Sequence, residues 1–214
     1  MADLSNYRKS YDRSELLEIY ISNNPYELFA TWFKEAEASE SIDEVNAMTI
    51  ATIGLDGFPK SRVVLLKEYN EEGFTFFTNY SSEKGKAIEN NPNVCLSFFW
   101  NSLERQVIIK GRASKIDSEI SDNYFSSRPK GSQLGAIVSN QSEVIESRDI
   151  LEQKLAELEL QLANSEISRP ENWGGYIVVP QEIEFWQGRP NRLHDRMRYK
   201  LNLESVWILQ RLSP

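Results

Sequence analysis

Five short segments rich in β-branched and aromatic residues follow one another over residues 48–113. Runs of this length, separated by turn residues, are typical of β-strands. The predicted strands cover residues 48–53, 61–67, 74–78, 94–100 and 105–113. Asp56 and Gly57, between the first two, predict a hairpin turn. Because these strands are close in sequence, we expect antiparallel meander pairing, and their number favours a barrel or a sandwich.

Helical patterns lie on both sides of the β-rich region. They cover residues 26–38, the segment before Pro92, residues 117–128 and residues 142–164. Residues that favour a helix N-terminus stand at their starts, namely Pro25, Ser81 or Ser82, Asp117 and Ser142. Three more strands are predicted at residues 176–179, 183–187 and 206–212. The pattern predicts an α+β fold, with a mobile arm at residues 1–24 and a single domain at residues 25–214.

Composition argues against several classes of function. The formal net charge of −8 is unfavourable for general nucleic-acid binding. No apolar run approaches the roughly 20 residues that cross a bilayer, and the N-terminus lacks the apolar stretch of a signal peptide. We therefore expect a cytoplasmic protein that binds neither nucleic acid nor membrane. Cys95 is the only cysteine, which excludes an internal disulfide and a multi-cysteine zinc site. No metal is expected.

The C-terminal region is basic, in contrast to the rest of the chain. Residues 187–214 hold six Lys or Arg residues against two acids. Arg192, His194 and Arg196 alternate, so a regular strand would place them on one face, where they repel each other unless an anion lies among them. Trp186 adds a flat surface for an aromatic ring. The segment favours a planar anionic ligand, although a solvated histidine or a contact with the acidic body of a second subunit would also explain it.

Two further basic segments lie within or beside the predicted strands. Arg62 and Lys67 end an apolar strand and would point to opposite faces of it. Lys84 follows Ser82 at the start of a short helix, where free backbone N–H groups attract phosphate. Strand ends that reach solvent, and a capped helix with an exposed lysine, are the alternative interpretations.

A third group lies around the end of the helix predicted at residues 117–128. Tyr124 and Arg128 are four residues apart and would share a helix face. Ser132 lies just beyond Pro129 and is predicted to cap the next helix. A phenol, a guanidinium and a hydroxyl together suit a phosphate monoester. A helix that merely ends in an arginine is the alternative.

Taken in order, these segments resemble the pyridoxamine 5′-phosphate oxidase family. The resemblance extends from about residue 7 to the end of the chain. The segments that carry it are residues 62–67, 77–79, 103–107, 124–129, 141–142, 173–175, 184–188 and 192–196.

The resemblance implies an FMN-binding split β-barrel, mostly antiparallel, with surrounding helices. It implies a homodimer with FMN sites at the subunit interface, so that Arg62 and Lys67 can serve different sites. The implied reaction oxidises pyridoxamine or pyridoxine 5′-phosphate to pyridoxal 5′-phosphate. Hydride would pass from C4′ to flavin N5, and O2 would be the acceptor and yield H2O2. The N-terminal arm would fold over the substrate as a lid.

The resemblance also assigns roles to individual residues. Arg192 and His194 would be catalytic and flank the pyridine ring. The residues implied to bind FMN are Arg62, Val63, Val64, Leu65, Leu66, Lys67, Phe77, Thr78, Lys84, Gln106, Gln141, Ser142, Trp186 and Arg196. The residues implied to bind substrate are Arg8, Lys9, Ser10, Tyr11, Lys67, Tyr124, Arg128, Ser132, Arg192, Leu193 and His194.

One residue departs from the family pattern. Glu83 stands where the family often has arginine, and an acid would repel a phosphate, so we expect its side chain to turn away. Other activities also occur on this fold, including flavin reductases, deazaflavin-dependent enzymes and haem-handling proteins. A pyridoxal phosphate carrier or an FMN-binding sensor is the non-enzymatic alternative. Two features favour the oxidase over all of these: the pair Arg192 and His194, and the second predicted phosphate site at Tyr124, Arg128 and Ser132.

Overall fold

The structure is a computed structural model that describes residues 2–163 and 165–214. Nine strands and five α-helices lie in this part of the chain. The strands are β1 (Ala47–Ile53), β2 (Pro59–Leu65), β3 (Glu68–Asn70), β4 (Gly73–Asn79), β5 (Asn93–Trp100), β6 (Arg105–Lys115), β7 (Trp173–Gln187), β8 (Asp195–Leu201) and β9 (Trp207–Leu212). The α-helices are α1 (Pro25–Ala38), α2 (Glu83–Asn90), α3 (Ser118–Ser127), α4 (Lys130–Val138) and α5 (Asp149–Gln161). Short 3₁₀ helices cover Glu18–Tyr20, Asn101–Leu103 and Pro190–Arg192.

The strands form one hydrogen-bonded sheet whose order departs from the chain order. The order is β2-β1-β5-β6-β7-β4-β3, and β8 pairs with β7 and β9. The pairs β3–β4, β4–β7, β7–β8 and β8–β9 are antiparallel. The expected simple meander is therefore wrong, because β7 lies between β6 and β4. Most β7 residues are buried, so a strand far along the chain takes an interior place in the sheet.

The chain divides into two compact units. The terminal unit comprises the residues up to Thr49, residues 95–111 and residues 180–214, and the central unit comprises residues 50–94 and 112–179. In the terminal unit, Phe29 contacts Phe98 with ring centroids 5.3 Å apart, and Trp32 contacts Phe185 at 5.2 Å. The core cluster of the central unit contains Phe125, Leu134, Ile167 and Trp173. The division into an arm at residues 1–24 and one domain at residues 25–214 stays a prediction, and residue 1 lies outside the described residues.

Local signals explain the two helices that were predicted most closely. The Asn24 side chain accepts a hydrogen bond from the Tyr26 N–H, and Pro25 opens α1. Ser82 caps α2 by accepting from the Gly85 N–H. A Cβ at Gly85 would lie 2.0 Å from the Tyr80 carbonyl oxygen, so this tight turn requires glycine. The predicted Asp56–Gly57 turn is also confirmed, with Gly57 at φ +81°.

Other boundaries differ from the predictions. The two strands predicted at residues 176–179 and 183–187 are one strand, β7, and β3 and β8 were not predicted. The last predicted helix begins at Asp149 rather than at Ser142, whose φ of +77° is not helical. It ends at Gln161, and the predicted end at residue 164 lies outside the described residues. Within the described ranges, no helix combines the length and the apolar character needed to span a membrane.

Candidate functional site

A cavity of about 670 Å³ in the central unit collects many of the predicted site residues. Its walls come from β2, β4, α2, the end of α3, α4 with the residues on either side of it, and the start of β7. The predicted residues in its lining are Val63, Val64, Leu65, Lys67, Phe77, Thr78, Lys84, Tyr124, Arg128, Ser132 and Gln141. The cavity therefore brings together predicted site residues that are as much as 78 positions apart in the chain.

Lys84 is a buried cation that has only neutral hydrogen-bond acceptors. Lys84 is only 8% exposed. Its Nζ donates to Thr78 Oγ1 at 2.9 Å and to Gln141 Oε1 at 2.6 Å. Among the described residues it forms no ion pair. Burial, followed by repulsion from Arg62, lowers the pKa of Lys84 to about 8, against the opposing attraction of Glu83. A buried ammonium without a counter-ion suits the binding of an anion.

Arg62 supplies a second cation in the same unit, on β2. Its Nη1 donates to Thr52 Oγ1 at 2.8 Å and to the Lys60 carbonyl oxygen at 2.7 Å. Burial lowers the pKa of Arg62, while the charge of Glu83 acts in the opposite direction. These bonds fix the guanidinium on β2, and no carboxylate in the described chain pairs with it directly. Arg62 and Lys84 are thus two cations near enough to repel each other.

Glu83 has a cationic partner of its own. Its Oε2 lies 2.5 Å from the Lys60 Nζ, and its backbone N–H donates to Ser142 Oγ at 3.3 Å. The carboxylate is directed to Lys60, which agrees with the expectation that it turns away from an anion at Lys84. The Ser142 hydroxyl lies instead at the N-terminus of α2. It is thus not the cap of the last helix, but it stands beside the Ser82–Lys84 turn.

Arg128 lies against a stack of aromatic rings. Tyr124 stacks on Phe77 with centroids 3.9 Å apart, and Phe77 stacks on Trp173 at 5.6 Å. The Arg128 guanidinium lies 4.6 Å from the Trp173 ring centroid, which is a cation–π geometry. Its Nη1 is buried and has no hydrogen-bond partner among residues 2–163 and 165–214. An N–H in that position is available to an anion that enters the cavity.

Tyr124 and Arg128 do not share a helix face as predicted. Tyr124 belongs to α3, but Arg128 ends that helix in an extended conformation because Pro129 follows it. Pro129 rather than Ser132 precedes α4, so Ser132 lies inside that helix. The Lys67 Nζ lies 5.9 Å from the Tyr124 ring centroid. Lys67 lies beyond Leu65, the last residue of β2. The expectation that Arg62 and Lys67 point to opposite faces of one strand therefore does not apply.

The terminal unit contains an aromatic cluster around the single histidine. The Trp186 and His194 ring centroids are 4.7 Å apart, and Tyr11 meets Trp186 edge-on at 5.7 Å. The Arg189 N–H donates to His194 Nδ1 at 3.1 Å, so Nδ1 is an acceptor and the neutral ring carries its proton on Nε2. Burial, followed by repulsion from Arg192, lowers the pKa of His194, against the attraction of Asp195. The imidazole is therefore mainly neutral at pH 7.

The expected alternation of Arg192, His194 and Arg196 on a strand is wrong. Pro190 begins a 3₁₀ helix that ends at Arg192 with φ +62°, and β8 starts only at Asp195. Arg196 alone lies in the strand. Its guanidinium pairs with Glu184 at 2.7 Å and donates to the Ser213 carbonyl oxygen at 2.8 Å. Arg196 thus has a carboxylate partner, unlike Arg62, Lys84 and Arg128.

The other predicted site residues of the terminal unit lie at its surface or in β6. Arg192 and Leu193 are exposed, and so are Arg8, Lys9 and Ser10. Gln106, in β6, donates through Nε2 to Ser97 Oγ at 3.4 Å. The described residues contain no cluster of three His, Cys, Asp or Glu side chains suited to a metal ion.

Comparison with known proteins identifies the family. Residues 35–162 match the family described as pyridoxamine 5′-phosphate oxidase. The chain belongs to the pyridoxamine 5′-phosphate oxidase family. A pyridoxine/pyridoxamine 5′-phosphate oxidase from Flavobacterium psychrophilum is 67% identical over 214 residues and covers 100% of both chains. The enzyme of the same name from Flavobacterium johnsoniae is 66% identical over 213 residues, again with 100% of each chain covered. The protein is therefore a member of an oxidoreductase family.

Further matches agree with this membership. Residues 173–214 match the C-terminal dimerisation region of pyridoxine 5′-phosphate oxidase. PhzG from Burkholderia lata, solved with tetrahydrophenazine-1-carboxylic acid, has a TM-score of 0.87 and 27% identity, and the match covers 96% of this chain and 100% of that one. A pyridoxamine 5′-phosphate oxidase-related, FMN-binding protein from Nostoc punctiforme has a TM-score of 0.71 and 15% identity, with 91% and 100% covered. These likenesses confirm the α+β split-barrel fold.

Two residues that stand out in the structure were given no role of their own from the sequence. Trp173 belongs to the segment 173–175 that carries the family resemblance, and in the structure its ring centroid lies 4.6 Å from the Arg128 guanidinium. Glu104 lies between Leu103 and Arg105 and is 1% exposed. An isolated acid next to an apolar strand is the signal that marks it, because a carboxylate is rarely buried without partners.

Proposed function

We propose that this protein oxidises pyridoxamine 5′-phosphate and pyridoxine 5′-phosphate to pyridoxal 5′-phosphate, with FMN as its cofactor and O2 as the electron acceptor. One observation carries the proposal beyond family membership. A single cavity is lined by two cationic side chains, the buried Lys84 and the half-buried Arg128, neither of which pairs with a carboxylate in the described chain. Two such groups suit two phosphate-bearing molecules, a cofactor and a substrate.

The residues around Lys84 fit the phosphate of FMN. Arg62 and Lys84 supply charge, Thr78 and Ser142 supply hydroxyls, and the positive end of the α2 dipole lies at the same turn. Gln141, whose Oε1 accepts from Lys84, would contact the flavin or its ribityl chain. When bound, FMN would supply the redox chemistry, in which hydride passes from the substrate C4′ to flavin N5 and O2 is reduced to H2O2. A cavity of about 670 Å³ is of the size that holds such ligands.

The residues around Arg128 fit the phosphate of the substrate. Arg128 would donate its free N–H groups to phosphate oxygens, and the Trp173 face holds the guanidinium in place. Tyr124, Ser132 and Lys67 line the same cavity and would add a phenol, a hydroxyl and a second charge. The substrate would thus be oriented through a group that does not react.

Arg192 and His194 would act on the pyridine ring of the substrate. The Arg189 N–H holds the Nδ1 of His194, so its Nε2–H would be the donor to the substrate. A neutral imidazole can donate that proton in a hydrogen bond without adding charge beside Arg192. Arg192 would position the substrate and stabilise charge near the reacting group.

We further propose that the protein acts as a homodimer in the cytoplasm. The match of residues 173–214 to a dimerisation region supports the dimer. Trp186 and Arg196 would then complete the FMN site from the other subunit, and Gln106 would contact the flavin ring or its ribityl chain. The N-terminal residues 8–11 would close over the bound substrate.

The visible spectrum of the purified protein tests the proposal. Pyridoxamine 5′-phosphate added without air should bleach a flavin band near about 450 nm. Air should restore the band, with pyridoxal 5′-phosphate and H2O2 formed. If the bound flavin is never bleached, FMN remains supported as the cofactor but the proposed substrate is contradicted. That outcome would favour a reductase or a sensor.

Replacing Arg192 by alanine should lower kcat at least about 100-fold, because one charge that stabilises the transition state is lost. FMN content, measured by absorbance per protomer, should stay unchanged. Arg112→Ala, which removes an exposed arginine from β6, is the matched control. Unchanged kcat and KM in Arg192→Ala would contradict the role of this residue.

A further inference from the structure

The N-terminal arm is bound to a buried carboxylate. Glu104 is 1% exposed, and its Oε2 accepts from the backbone N–H groups of Asp12 at 2.9 Å and Arg13 at 3.1 Å. Its Oε1 lies 3.1 Å from the Lys9 Nζ. All three donors to this carboxylate come from the arm, 91 to 95 positions away in the chain.

The burial of the Glu104 carboxylate makes its bonds to the arm necessary. Burying an ionised carboxylate is strongly unfavourable unless hydrogen bonds and a counter-charge compensate for lost hydration. Burial raises the pKa of Glu104, but the Arg13 N–H and the Lys9 ammonium outweigh this effect, so the pKa lies below its ordinary value. If the arm left, a buried charge would lose its partners. The ionised form of Glu104 therefore stabilises the docked arm.

The same residue is tied to the segment that follows Trp186. Glu104 has φ +57° at the end of a 3₁₀ helix, and its carbonyl oxygen accepts from the Gly188 N–H at 2.8 Å and from Gln187 Nε2 at 3.2 Å. A Cβ at Gly188 would lie 2.8 Å from both Cβ and Cγ of Tyr11. Only glycine leaves room for this tyrosine. The side chain of Glu104 thus holds the arm while its main chain holds the surface on which Tyr11 lies.

We propose that Glu104 is a positioning residue of the oxidase. Its carboxylate docks the N-terminal arm and so places Tyr11 against Trp186 and His194. The Tyr11 ring centroid lies 5.7 Å from that of Trp186 and 5.8 Å from that of His194. The inference rests on the proposed function, in which His194 meets the substrate. Glu104 itself contacts the arm, and it acts on the reaction through Tyr11.

Glu104→Gln in the full-length protein tests the proposal. The amide keeps the shape of the side chain but removes the charge and presents an NH2 group to the arm donors. We expect trypsin to cleave after Arg8, Lys9 or Arg13 about tenfold faster or more, since a charge-assisted hydrogen bond is lost. KM for pyridoxamine 5′-phosphate should rise at least about fivefold, while FMN per protomer and the thermal midpoint stay near those of the wild type.

Two further variants distinguish positioning from general destabilisation. Gly188→Ala should displace Tyr11 and raise KM in the same way, although Glu104 is intact. Glu182→Gln, which removes a half-buried acid paired with Lys110, should change neither KM nor the cleavage rate.

The outcomes separate this proposal from the proposed function. Unchanged cleavage in Glu104→Gln would overturn the docking role, and faster cleavage with unchanged KM would overturn the positioning role. A rise in KM without faster cleavage would also overturn it. If the wild type did not oxidise pyridoxamine 5′-phosphate at all, the proposed function would fail, and the cleavage rates alone would still decide whether Glu104 docks the arm.

Discussion

Arg128→Ala is expected to lower kcat/KM for pyridoxamine 5′-phosphate about 100- to 1,000-fold, because one or two charge-assisted hydrogen bonds to phosphate are lost. The loss should appear mainly in KM, since the phosphate does not react. Arg128 is prepared for this role by Trp173, which lies 4.6 Å below the guanidinium, and by a buried Nη1 that has no partner in the described chain.

The measurement is steady-state oxidation at saturating O2, together with the FMN absorbance of each variant. Arg128→Lys should recover only part of the activity, because an ammonium keeps the charge but not the planar fork. Arg148→Ala is the matched control, since Arg148 is exposed and, among the residues that the structure describes, pairs only with Glu152 in α5. A kcat/KM within about threefold of the wild type would be a smaller change than the loss of one ordinary hydrogen bond causes. That result would contradict a role of Arg128 in binding the substrate phosphate.

Lys84→Met is expected to weaken FMN binding about 100-fold or more, because it removes a buried charge-assisted contact with the cofactor phosphate. The measurement is quenching of FMN fluorescence on titration with apoprotein. Lys86→Met is the matched control, because Lys86 lies two residues further along α2 and is exposed. The free Lys84→Met protein should fold as well as the wild type, since burying this ammonium is unfavourable. Unchanged FMN affinity would place the cofactor phosphate elsewhere.

The lowered pKa of Lys84 adds a pH dependence to this result. In the free protein its pKa is about 8, because burial and Arg62 disfavour the charged form. FMN phosphate favours the charged form, so binding must be accompanied by protonation when the pH exceeds that value. The dissociation constant for FMN should therefore rise above pH 8, by at most about tenfold per pH unit. In Lys84→Met this rise should disappear, and a wild-type affinity constant from pH 7 to 9.5 would contradict the assignment.

Local signals account for the parts of the fold that were predicted well. Asn24 and Pro25 start α1, Ser82 and Gly85 start α2, and Gly57 turns the first hairpin, each through bonds within five residues of chain. Strand β8 was missed because its charged residues were interpreted as a basic motif. In the structure, buried Met197 and Tyr199 alternate with Arg196 and Arg198, which is the ordinary pattern of a strand with one buried face.

By itself, the sequence determined the secondary structure of these segments, the chemical types of the phosphate-binding groups and, by resemblance, the family. Tertiary structure alone decided the place of β7 between β6 and β4, the ring of Trp173 under Arg128, and the attachment of the arm to Glu104. The physical reason is separation along the chain. Turns and caps depend on neighbours, whereas strand order and the partners of a buried charge depend on which distant segments pack together.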